Sequence, residues 1–146
     1  MTERERDVRA AVYGAFRDTG KAPAAGELAV TLGLSGDDIL DALRGLAAAH
    51  ALVLRPDGAS IWMAHPFSGI PTDFLVTVGA RRWFANCVWD GLAIIGILGG
   101  TGGLDTHSPA TGEPVALQVI DGTVQGEAIA HFLVPASRFW DDIGYT

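Results

Sequence analysis

The sequence holds a single cysteine, Cys87, and three residues further on an aspartate, Asp90, both inside the apolar stretch WFANCVWDGLAIIGIL (83–98). If that stretch is helical, a thiol and a carboxylate one turn apart share a face. Together they suit one kind of chemistry: the thiolate grips a soft metal or other soft electrophile, and the carboxylate supplies or relays a proton to the departing fragment. On this reading Trp83, one turn earlier, walls off the site. Arg81 and Arg82 lie beside the helix start, where cationic neighbours lower a thiol pKa. A packing explanation competes with it. Free cysteine is among the most buried residue types and behaves as a small apolar side chain, with Asp90 then hydrogen-bonded nearby. The C-x-x-D spacing alone does not decide between the two.

Other residues offer less. The four histidines, His50, His65, His107 and His131, show no paired ligand spacing with the one cysteine, so a structural zinc site is not indicated. His107 and His131 remain candidate ligand contacts, although backbone hydrogen bonds account for most lone histidines. Trp83, Phe84, Trp89, Phe139 and Trp140 are expected in the core or in a pocket wall. Asp141 and Asp142 read as a solvated terminal pair. The five glycines between 99 and 112 lack the preceding strand, following helix and Lys-Ser/Thr ending of a phosphate loop.

The elements that must position Cys87 and Asp90 follow from periodicity and punctuation. Thr2 and Glu5 have capping-box spacing before a helix whose Val8, Val12 and Phe16 recur every four residues and which Gly20 ends. APAAGELAVTLGLS predicts a short second helix stopped by Gly33. Ser35 caps a third, with Ile39, Leu43 and Leu46 as its apolar stripe and Asp37 and Asp38 at its N-terminus. LVLRPDGASIWMA predicts a hairpin around Asp57-Gly58. Three helices and a hairpin form a winged helix-turn-helix pattern over 1–64. HPFSGIPT (65–72) reads as a linker or ordered loop. Beyond it come a strand at DFLVTV, the helix at 83–98, an irregular glycine-rich loop at 99–114, a hairpin around Asp121-Gly122 and a strand at AIAHFLVPA. The expected fold class is α+β: a winged-helix-like domain (1–64), then a small mixed domain (65–146) of antiparallel strands on a central helix.

Composition limits the partners. With 146 residues and 49% hydrophobic content the chain can bury a core. A net charge of −7 gives no general attraction for phosphate backbones. Residues 1–66 carry seven Lys/Arg against nine Asp/Glu, and the third helix offers Asp37, Asp38 and Asp41 with only Arg44. Nucleic acid is therefore not the expected partner. The start has no apolar signal region, the apolar run at 83–98 is too short for a bilayer, and the lone cysteine suits a reducing compartment. A cytoplasmic protein is expected, with no membrane partner. The sequence does not speak to its oligomeric state.

Three blocks narrow the choice. HPFSGIPTDFLVTVGARRWFANCVWDGLAIIGIL, HSPATGEPVALQV and AHFLVPASRFWDDIGYT together resemble the organomercurial (alkylmercury) lyase family over most of residues 65–146, in family order. The winged-helix-like part also matches that family's N-terminal region, which is not known there as a DNA reader. The resemblance implies cleavage of a carbon–mercury bond by protonolysis, with Cys87 capturing mercury and Asp90 relaying the proton. Cys87 and Asp90 would then also be the mercury-binding pair. No organic cofactor is implied; an organomercurial, mercuric ion as product and cellular thiols are the expected small partners. In that family a second catalytic cysteine follows shortly after the block matching WDDIGYT, whereas this sequence ends at Thr146. Ser108 stands where relatives often carry a further cysteine. Either the sequence is a piece of a longer chain, or it is a short homologue with weakened chemistry. The alternatives to a lyase are an impaired homologue that binds mercurials or another small ligand, and a winged-helix regulator that senses one.

Overall fold

The computed structural model describes residues 1–126 and 128–145. Helix α1 (Glu3–Thr19) opens on the Thr2–Glu5 capping box and closes on Gly20, whose φ of 73° is left-handed. Helix α2 (Ala25–Leu32) ends at Gly33, and α3 (Gly36–Ala48) starts where the Ser35 side chain accepts from the Asp38 amide. Their apolar stripes meet: Val8, Val12 and Phe16 of α1 are fully buried with Leu28, Ile39, Leu43 and Leu46. The hairpin follows as β1 (Val53–Leu54) and β2 (Ile61–Ala64), its turn held by Asp57 accepting from the Ala59 and Ser60 amides.

The stretch expected to be a linker or ordered loop contributes a strand. β3 (Phe67–Ser68) pairs antiparallel with β2, giving a three-stranded sheet, and Phe67 bridges to Ala85. The second sheet has five antiparallel strands in the order β5-β4-β6-β7-β8. They are β4 (Leu75–Val78), β5 (Arg81–Phe84), β6 (Gly102–His107), β7 (Pro114–Ile120) and β8 (Thr123–Gln125). Helix α4 (Val88–Ile97) lies against β4 and β6, with Ile94 and Ile95 buried beneath it. The α+β class stands, with a helical N-terminal part and a strand-rich remainder. Among the described residues, no helix is long and apolar enough to cross a membrane.

Three local expectations are corrected. The helix expected over 83–98 begins only at Val88, because residues 81–84 form strand β5 with Trp83 turned into the core and Arg81 and Arg82 exposed. Antiparallel pairing with β4, from Leu75–Phe84 to Val78–Arg81, outweighs the apolar run there. The glycine-rich loop contains strand β6, where Gly102 and Gly103 mark close approach rather than irregularity. A Cβ at Gly102 would sit 2.6 Å from the Thr77 carbonyl oxygen on the neighbouring strand. Conversely, the strand expected at AIAHFLVPA is absent from its described residues, 128–136. Phe132 packs instead against the Trp89 and Phe139 rings, and a 3-10 turn, η1 (Ala136–Asp141), follows Pro135.

Candidate functional site

Cys87 is the N-cap of α4, not a residue on its face. Its backbone is extended (φ −153°, ψ 179°) and its Sγ accepts the amide of Asp90 at 3.4 Å. Asp90 occupies the third helical position, so thiol and carboxylate meet around the first turn. The two residues are brought together as expected, but by a cap rather than a shared helix face. Cys87 is half-buried.

The electrostatics differ from the expectation. Burial pushes the Cys87 thiol up from its ordinary value, and the charge of Asp90 adds to this; the amides of Asp90 and Trp89 pull the other way and lose. Arg81 and Arg82 sit on β5 with exposed side chains and are not among the groups that shift it. The thiol therefore holds its proton more firmly than an exposed cysteine does.

Trp83 does not wall the site. It is only 3% exposed, and its indole Nε1 donates to the Phe16 carbonyl at 2.7 Å, tying β5 to α1. Trp89, on the first turn of α4, is 59% exposed. With Phe132, Leu133, Pro135 and Phe139 it lines an open apolar cavity of about 410 Å³. Phe84 lines a second cavity, of about 600 Å³, with Asp73, Asp105 and His107 on the outer face of the sheet. His107 and His131 are both exposed. Asp141 is not merely solvated: Arg138 Nε donates to it at 2.8 Å. Among the described residues, no cluster of three or more His, Cys, Asp or Glu could hold a metal ion.

Sequence reasoning missed the groups on Asp90. Asn86 Nδ2 donates to Asp90 Oδ2 at 2.9 Å, and His65 Nδ1 lies 3.4 Å from the same oxygen. Trp140 reaches this corner from the C-terminal side. Its ring stacks on His50 at 4.2 Å and meets His65 edge-on at 5.9 Å. The available signals were the Pro after His65 and the polar Asn directly before the cysteine, in an otherwise apolar stretch.

Comparison with known proteins bears on the same region. A family model described as alkylmercury lyase, MerB, matches residues 67–145. Among solved structures, the mercury-bound form of MerB2 is similar, with 23% sequence identity and a TM-score of 0.68. The match covers 86% of this chain and 60% of that one, so the present chain spans about three fifths of that protein's length. At this identity the likeness concerns the fold. No curated protein matches the chain.

Proposed function

Since the chain belongs to the alkylmercury lyase family, whose model spans residues 67–145, we propose that it cleaves a carbon–mercury bond by protonolysis. The observation that carries this proposal is the half-buried Cys87 thiol capping the turn that holds Asp90. An organomercurial exchanges its existing ligand for the Cys87 sulfur as the S–H proton passes to the Asp90 carboxylate. Asp90 then delivers that proton to carbon. The C–Hg electron pair becomes the new C–H bond, hydrocarbon leaves, and mercuric ion stays on sulfur. Raising the thiol pKa suits this sequence, because the proton that the leaving carbon needs arrives with the nucleophile. The apolar cavity beside Trp89 supplies a place for the organic group.

Mercuric ion favours soft thiolate ligands, and Cys87 is the one thiol in this sequence. A cellular thiol is the small partner that takes the ion from Cys87. The same observation favours a second proposal: capture of mercurials at Cys87 without release of hydrocarbon. The three-helix part (1–64) serves as scaffold to the lyase-like part (65–146). Its α3 cation Arg44 is paired with Asp41 at 3.2 Å, which argues against phosphate contact.

The test is incubation with a phenylmercury salt and excess thiol, with benzene measured by gas chromatography and Cys87 labelling by intact mass. Catalytic benzene supports the lyase. Stoichiometric labelling without benzene supports the capture protein, and absence of labelling sinks both.

A further inference from the structure

We propose that Asn86, with His65 beside it, is a positioning residue that aims the Asp90 carboxylate; this deepens the protonolysis proposal and rests on it. The Asn86 amide has two N–H hydrogens. Its Nδ2 faces Asp90 Oδ2 at 2.9 Å, the Phe67 carbonyl at 3.3 Å, and the Pro66 carbonyl and His65 Nδ1 at 3.4 Å each. Turning the amide over would set its oxygen against two carbonyls and a carboxylate, so the orientation follows from the partners. One hydrogen goes to Asp90 and the other to the Phe67–Pro66 carbonyls. None is left for His65 Nδ1, which then carries its own hydrogen and donates to Asp90 Oδ2.

Both side-chain donors thus fall on one carboxylate oxygen. Oδ2 is anchored, and Oδ1 is the oxygen left to take and deliver a proton. The anchor is itself held by regular structure: Phe67 begins β3, and the Tyr13 hydroxyl of α1 donates to the His65 carbonyl at 2.9 Å. Packing does not explain the arrangement. Asn86 Oδ1 and His65 Nε2 are both buried without a partner, and each such group costs about 1–3 kcal/mol. An apolar side chain of similar shape would avoid that cost. Buried polar groups kept at a loss point to a functional constraint.

The experiment compares the full chain with Asn86→Leu, which keeps the volume and removes the donor. Cys87 labelling by the phenylmercury salt is expected to stay stoichiometric and KM unchanged, while kcat for benzene release falls by about 10²-fold. Asn86→Leu releasing benzene at the wild-type rate, or losing labelling together with rate, overturns the proposal. Should that variant not fold, His65→Phe keeps the backbone contact to Tyr13 and removes the second donor. It must lower kcat with labelling intact, and an unchanged kcat overturns the proposal. If the wild type labels without releasing benzene, protonolysis fails on its own and the clamp is read by crystallography of Asn86→Leu. A carboxylate turned out of its place beside His65 supports the clamp; Asp90 Oδ2 held in the same position overturns it.

Discussion

A thiol at a helix cap is desolvated on one side and reachable on the other, and this sets how Cys87 should react. Its pKa is raised, chiefly by burial, so less thiolate is present at a given pH than in an exposed thiol of pKa about 8.5. Alkylation by iodoacetamide should therefore run slower than for a model thiol at pH 8. Its rate should climb to a plateau at higher pH; a profile centred below the model thiol's would contradict the burial argument. The same shift bears on stability. The folded pKa exceeds the unfolded one, so the contribution is fully present below the unfolded value and is lost as pH rises through the folded value. Substitutions separate the two roles. Cys87→Ser should abolish labelling by phenylmercury, whereas Asp90→Asn should keep labelling and lose roughly 10²–10⁴-fold in benzene release. The pair itself was legible from its spacing. The sign of the thiol shift was not, because it is set by how far the fold buries Cys87.

Helix α4 carries the site, and its glycines give the element a sharp test. A Cβ on Gly91 would lie 2.8 Å from both methyl carbons of Leu104 on β6. Gly91→Ala should therefore overpack this contact, costing about 1–3 kcal/mol and lowering Tm by several degrees. Gly96, on the exposed side of the same helix, has nothing within 4 Å of its would-be Cβ. Gly96→Ala should stabilise by about 0.5–1 kcal/mol. Equal effects from the two, measured by thermal unfolding, would mean that α4 does not lie on β6 as described. Elements whose ends are set locally could be read from sequence: the Thr2–Glu5 box, the Ser35 cap and the Asp57-Gly58 and Asp121-Gly122 turns all stand. Those set by partners could not. Gly102 looks like a breaker until Thr77 is placed beside it, and residues 128–136 look like a strand although Phe132 packs on Trp89. Asn86 and His65 were hidden for the same reason, since 21 positions separate residues that meet only in the fold.

At the scale of the molecule, the helical and strand-rich parts share one hydrophobic core. Val8, Val12, Phe16 and Leu43 belong to the same buried cluster as Val76, Ile94, Leu104 and Val119. Trp83 and Phe67 form the joint: the indole donates to the Phe16 carbonyl, and Phe67 stacks on Phe16 with ring centroids 5.2 Å apart. Sharing a core makes separate unfolding costly, because releasing either part would expose the apolar face of the other. Urea unfolding followed by far-UV circular dichroism, dominated by α1 to α3, and by tryptophan fluorescence, which reports Trp62, Trp83, Trp89 and Trp140, should give coincident midpoints. Trp83→Ala removes both the hydrogen bond and the buried ring, at a cost of about 3–5 kcal/mol. It should move both signals together to lower urea. Midpoints that separate in the wild type would show two independently stable units. A Trp83→Ala effect confined to fluorescence would show that the joint transmits nothing to the helices.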